Sequence, residues 1–180
     1  MKRIPFELFH RLFYPQIAMV VASRMGDEAG GLLASSVMPV SFNPPKIAAA
    51  LGKAHKTTKL VEHSNVFSVN WLSYEHVSKM ALLAQPTAPG VKDKLSSSGF
   101  QYRLGEKTKA PILLDASAYL ECRVEMKIDV GDHFLFLSIV EDAVAIEDFG
   151  EYWEFRGYKP VLYVGSARSD WPKFVKFPLE

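Results

Sequence analysis

The sequence is short of several things that would each point to a function class. It has one cysteine in 180 residues, so an internal disulfide framework is excluded and a reducing compartment fits. Neither sign of charge is in excess, with 21 basic residues against 20 acidic and a net charge of +1. An electrostatic nucleic-acid binder needs a basic stripe interleaved with aromatics, and none is present. No apolar run approaches the ~20 residues of a membrane span. Met1-Lys2-Arg3-Ile4-Pro5 begins basic, but Glu7, His10 and Arg11 break the apolar run after it, so it does not read as a signal peptide. These absences lead us to expect a cytoplasmic protein with no nucleic-acid or membrane partner.

Reactive constellations are equally sparse. His10, His55, His63, His76 and His133 are scattered, and Cys122 has no Cys or His at ligand spacing, so no metal site is expected. Cys122 falls on the apolar face of its strand, where it reads as inert core packing. The serines form no nucleophile elbow, which argues against a hydrolase. Asp148-Phe149-Gly150 matches a kinase triplet, but no other kinase element accompanies it. There is no Gly-x-Gly-x-x-Gly fingerprint, so a nicotinamide would have to bind transiently rather than in its own domain.

What is present is a folded core, with 48% hydrophobic residues over a length suited to one domain. We expect a single domain over 1–180, with its body at about 13–165 and a C-terminal segment at 166–180. Strands are predicted at Ile17–Ala22, Lys46–Leu51, Val66–Leu72, Phe134–Val140 and Val161–Val164. Short helices are predicted at Thr58–His63, capped by Thr57 or Thr58, and at Glu75–Leu83, capped by Ser73. Met25–Glu28 and Gln85–Gly90 read as turn and loop. From Leu120 to Val130 apolar and polar residues alternate, which predicts a strand with Cys122, Met126 and Ile128 buried and Glu121, Arg123 and Lys127 solvated. Gly131-Asp132 then reads as a two-residue hairpin turn. Many short strands and few helices point to a closed or partly closed antiparallel barrel.

Three segments could carry chemistry. Gly30–Pro45, GGLLASSVMPVSFNPP, has few bulky side chains, so a flat or anionic ligand could approach its N–H groups, and Ser35, Ser36 and Ser41 add hydroxyls. It reads equally as an edge strand leading into a polar loop. Lys53, His55, Lys56, Thr57 and Thr58 form a basic, hydroxyl-rich cluster at a helix start, which suits a phosphate or is a solvated loop with an ordinary cap. His133 is an accessible imidazole at the hairpin turn, or simply a surface residue.

Three blocks in order give a resemblance. Gly30, Gly31, Ala34, Ser35, Val40, Ser41, Pro44 and Pro45 follow one pattern. Thr57-Thr58-Lys59-Leu60 with Phe67-Ser68-Val69-Asn70 follows a second. Leu120-Glu121-Cys122-Arg123-Val124 with Gly131-Asp132-His133 follows a third. Together they resemble the flavin reductase-like family of FMN-binding split barrels, which includes flavoredoxin and the reductase components of two-component monooxygenases. The chain departs from that pattern at Gly30 (Asn in members), at Leu33 (Thr) and at Ser138-Ile139 (Gly-Glu). The resemblance implies an antiparallel split β-barrel, mainly β with a few short helices. It implies FMN, or FAD, held along Leu33, Ala34, Ser35, Ser36, Val37, Pro39, Val40 and Ser41. The phosphate would lie at Lys53, His55, Lys56, Thr57 and Thr58, with His133 near the flavin and a transient NAD(P)H. The activity implied is hydride transfer from nicotinamide to FMN; a carrier with tightly bound FMN and a binding module without turnover are the alternatives. A homodimer is also implied, and a monooxygenase or another electron-acceptor protein would be the partner. The aromatic clusters Phe6, Phe9, Phe13, Tyr14 and Trp171, Phe174, Phe177 are more than one small barrel need bury, which agrees with a dimer.

Overall fold

The structure, a computed structural model, describes residues 1–165 and 174–177, so Trp171 and most of the C-terminal segment lie outside it. The apolar run from Ile17 is divided between β1 (Gln16–Ile17) and β2 (Met19–Met25). Met19 and Val21 of β2 enter one core, while Val20 and Ala22 enter another. A strand buried on both faces shows no polar alternation, which is why this run is continuously apolar.

A tight turn leads from β2 into β3 (Glu28–Ala34). Then β4 (Val37–Phe42) and β5 (Pro45–Gly52) form a hairpin. With β6 (Val66–Leu72), β9 (Ala116–Asp129) and β10 (His133–Ala145) they make a seven-stranded antiparallel sheet in the order β3-β2-β6-β9-β10-β5-β4. Its two edge strands, β3 and β4, are consecutive in the chain and joined only through Ser35 and Ser36. The edges therefore lie close without pairing. This is an antiparallel split β-barrel, mainly β with a few short helices.

Inside the barrel are Val21, Leu32, Ala49, Phe67, Cys122 and Phe136, with Val61 of α1 (Lys56–Ser64) closing one end. A second core lies outside β2 and β3. It is covered by α2 (Val77–Leu83), α3 (Lys94–Ser97), the hairpin β7–β8 (Tyr102–Leu104, Pro111–Leu113) and β11–β12 (Val161–Tyr163, Phe174–Lys176). Gly30 and Gly31 serve these two packings. A Cβ on Gly30 would stand 2.8 Å from Thr57 Oγ1, and one on Gly31 would stand 2.4 Å from Leu95 Cδ2. The bare backbone at this pair is filled by the protein's own helices, and ligand access begins only further along the segment.

Several expectations need correction. The helix at 75–83 is split into a 3-10 turn, Tyr74–His76, and α2, and the Ser73 hydroxyl accepts from Lys159 N rather than capping. His55, not a threonine, stands at the N-cap of α1; Thr57 and Thr58 lie buried in its first turn, and Thr58 Oγ1 donates to Gly52 O at 2.7 Å. In β9 the alternation fails at both ends of its range. Glu121 is fully buried, while Met126 and Ile128 are 54% and 37% exposed. Met126 pairs with Leu137, Leu137 with Ala48, and Ala48 with Met38, so an apolar band crosses β9, β10, β5 and β4 on the outside of the barrel. Ser138 is buried on the inner face of β10, between Ile47 and Val124, and its hydroxyl has no partner among the described residues.

Candidate functional site

The split between β3 and β4 opens onto three adjoining cavities. One, of about 390 Å³, lies between the start of α1 and the chain after α2, lined by Ala54, His55, Lys56, Thr57, Lys59, Pro86, Thr87 and Lys94. It shares Leu32, His55 and Ala84 with a second of about 210 Å³, which adds Ala18, Leu33, Ala34, Ser35, Leu83 and Tyr163. That one shares Ser35 with a third of about 280 Å³, between β4–β5 and the N-terminal 3-10 turn Phe6–Phe13, lined by His10, Phe13, Tyr14, Ser36, Val37 and Leu135 among others. The three form a groove running along the free edge of β3. An edge strand leaves alternate N–H and C=O groups unpaired, so this wall offers main-chain donors and acceptors.

The two ends differ in chemistry. No side chain caps α1, so the first N–H groups of the helix have no side-chain acceptor and its positive dipole end meets the groove. His55 stands there, and burial, reinforced by the charges of Lys94 and His133, lowers its imidazole below the ordinary value. Lys94 is 6% exposed, and burial lowers its ammonium below the usual lysine range. Beyond Ser35 the walls are mostly aromatic and apolar, interrupted by His10, Gln16 and Ser36, with Tyr14 and Tyr163 in edge contact at 4.9 Å between the second and third cavities. A flat ring with a phosphate-bearing tail matches this donor set: hydroxyls and strand N–H groups at one end, a helix start and cations at the other. A separate cavity of about 280 Å³, walled by Trp71, Tyr119, Phe149 and Trp153, has no charged side chain and does not suit such a ligand.

Of the residues singled out from the sequence, the groove gathers Leu33, Ala34, Ser35, Ser36, Val37, His55, Lys56 and Thr57. Lys56 is already engaged, its ammonium donating to Val91 O and Lys92 O and pairing with Glu28 at 3.3 Å. Pro39, Val40 and Ser41 lie further along β4 and line none of the three cavities. Thr58 is turned to Gly52, and Lys53 is drawn away to Asp129 at 2.6 Å and over the Phe134 ring. His133 starts β10 opposite Gly52, across which its ring edge nears that of His55. Its Nδ1 lies 2.7 Å from Asp132 Oδ1, a bond that holds the Asp132 carboxyl below its usual range. A carboxylate only accepts, so Nδ1 carries the proton of this bond, and among the described residues Nε2 makes no hydrogen bond. Buried Cys122, its thiol pushed up by desolvation, takes no part. Among the described residues no group of His, Cys, Asp or Glu is arranged to hold a metal ion, and no helix is long and apolar enough to cross a membrane.

Sequence reasoning missed Ala84, Thr87, Lys94 and Tyr163. Each reaches the groove through tertiary packing, and none belongs to a motif. For Lys94 the signal is structural, a buried cation that pairs with no carboxylate among the described residues.

Comparison with known proteins agrees with this fold. A solved NADH:FAD oxidoreductase from Streptomyces globisporus superposes with a TM-score of 0.75 at 26% identity, covering 90% of this chain and 92% of that one. Flavoredoxin from Methanosarcina acetivorans shares the fold with a TM-score of 0.81 at 21% identity, over 98% and 90% of the two chains. An uncharacterized protein of Aeropyrum pernix is 33% identical over 97% of this chain, which spans 66% of that protein's length. The flavin reductase like domain matches residues 9–170, nearly the whole barrel and its groove, and the chain belongs to that family of flavin-related oxidoreductases.

Proposed function

We propose that the protein is an NAD(P)H-dependent FMN reductase. The observation that carries the reading is the continuity of the groove: a cation-bearing end at α1, a middle along the β3 edge, and a further apolar cavity past Ser35. The phosphate belongs at the start of α1, where main-chain N–H groups and the helix dipole favour an anion. Ser35 and the β3 edge supply hydrogen bonds to a ring lying on Leu33 and Ala34, while Leu83 and Tyr163 exclude water from it. The third cavity, walled by Phe13, Tyr14 and Leu135, is where a nicotinamide ring is received. When bound, the flavin would supply the hydride-accepting chemistry, and the protein's residues need only bind and orient it. His133, with Nε2 free beside His55, is placed to hold a proton at the polar end.

The test is nicotinamide oxidation by the purified protein with and without added FMN. Turnover that depends on free FMN supports the reductase. FMN retained through gel filtration with no nicotinamide oxidation would make the protein a carrier, and no flavin binding at all would end the reading.

We also propose a homodimer, supported by the exposed band of Met38, Met126 and Ile128 on the outside of the barrel. Such a band is a self-association surface when a second copy covers it. Light scattering at micromolar concentration should give twice the chain mass, and Met126→Glu should shift it toward the monomer. A monomeric mass for the parent protein removes the proposal.

A further inference from the structure

The aromatic-walled cavity of about 280 Å³ shares no lining residue with the groove. Its floor lies where β9 begins and β10 ends, with Ala118 paired to Ala145 and Leu120 to Ala143. Three alanines in neighbouring register leave the sheet low at this point, and rings stand around the depression. Trp71, paired with Ala118, lies on one side, and Phe149 and Trp153 stand over it from the chain that follows β10.

That chain is braced from within. Phe149 and Trp153 form a β-bridge and meet edge to face at 5.2 Å, and Trp153 lies against Tyr158 at 4.2 Å. Asp148 accepts from the N–H groups of Arg156, Gly157 and Tyr158 at 3.0, 3.1 and 3.0 Å, tying the start of the segment to its end. The cavity is therefore preformed. No charged side chain lines it, so an ion entering would lose water and meet no counter-charge. The indole N–H groups of Trp71 and Trp153 have no acceptor among the described residues, while the Tyr119 hydroxyl already accepts from Arg103 at 2.9 Å. Behind Trp153, Tyr158 is 1% exposed and its hydroxyl also lacks a partner among the described residues. An apolar cavity of about 150 Å³ already admits benzene, so this one has room for a ring with a short substituent.

We propose that this cavity binds a small uncharged aromatic compound bearing an acceptor oxygen, an aryl ketone or a phenol. The ring lies against Trp71, Phe149 and Trp153, and the oxygen accepts from an indole N–H. The site is independent of the groove, so it stands whether or not the protein oxidises nicotinamide.

The experiment titrates the parent protein with acetophenone and follows the indole N–H resonances, assigned by their loss in Trp71→Phe and Trp153→Phe. Both should shift and saturate at about millimolar ligand, the strength open to so small a molecule. Benzoate has the same shape with a charge and should bind about 10-fold more weakly or worse. Cyclohexyl methyl ketone, which lacks the aromatic ring, should also bind more weakly. Ala145 is exposed at the end of β10, so Ala145→Leu fills the floor without entering either core. It should weaken acetophenone about 10-fold or more with the melting temperature unchanged. Saturating FMN should leave the acetophenone curve where it was. Three results overturn the proposal: no saturable shift, benzoate bound as well as acetophenone, or acetophenone displaced by FMN, which would put the ketone in the groove. Indole resonances that move with protein concentration and ignore acetophenone also overturn it, because a second copy of the chain then covers the cavity. Should Ala145→Leu fail to fold, the ligand series on the parent decides alone.

Discussion

Replacing Ala84 with Trp is expected to abolish flavin binding while leaving the fold intact. Ala84 is exposed at the end of α2 and lines both the 390 Å³ and the 210 Å³ cavities. An indole there fills the junction through which any ligand spanning the groove must pass. The position is αR backbone, with φ −72° and ψ −16°, which every side chain adopts without strain. Because nothing is displaced from either core, the melting temperature should stay within about 2 °C, as for ordinary surface changes. Affinity for FMN should drop about 100-fold or more, and riboflavin should drop with it, because the obstruction is steric and does not depend on charge. Ala84 is a better probe than Ala34. Ala34 is 7% exposed and packed within the barrel, so a bulky residue there would disturb the core together with the ligand. Flavin binding by a folded Ala84→Trp protein at the parent's affinity would place the ligand elsewhere.

The sequence revealed the barrel more fully than the groove, and the reasons are physical. Strand signals such as the Ile17–Ala22 run and the Gly131-Asp132 turn are local, set by burial of successive side chains and by turn chemistry, so they survive in a one-dimensional reading. The groove is assembled from the end of β3, the start of α1, the chain after α2, the first residue of α3 and Tyr163 of β11, segments far apart in the chain whose common property is where they meet. Motif blocks reached the first two of these and missed the rest. The blocks also over-reached along β4. Its sequence continues the pattern through Ser41, but the strand leaves the split after Met38 and carries the later residues away on an exposed hairpin. Period-two reasoning went wrong in β9 because it assumes one wet face along the whole strand. The loop at 105–108 covers that face near Glu121, and a β-bulge between the Val124–Ser138 and Met126–Leu137 pairs turns Met126 and Ile128 to the outside of the barrel.

That misplaced glutamate should be among the most costly side chains to remove. Glu121 is fully buried, and its two oxygens accept from the main-chain N–H groups of Glu106 at 2.9 Å, Lys107 at 3.1 Å and Thr108 at 2.6 Å, and from Thr108 Oγ1 at 2.8 Å. The carboxylate thus holds the loop that joins β7 to β8 against β9. Glu121→Ala would leave those donors buried without an acceptor and open a void beside Gly105, whose added Cβ would touch the carboxylate. A loss of about 3–5 kcal/mol follows, from unsatisfied buried donors and a cavity together. For a domain of this size the melting temperature should fall by about 10 °C. The pH dependence gives a second reading. Burial pushes the Glu121 carboxyl up, but the hydrogen bonds from Thr108, Lys107 and Glu106 outweigh it, so its folded pKa lies below the usual glutamate value. A depressed carboxyl contributes stability above its unfolded pKa of about 4.3 and loses it as pH falls through the lower folded value. The parent should therefore weaken in acid below about pH 4 more steeply than Glu121→Gln, which has no charge to lose there. Urea melts of both proteins between neutral and acid pH measure the difference. Equal acid limbs, or an Ala variant as stable as the parent, would mean that the loop is held by something other than this carboxylate.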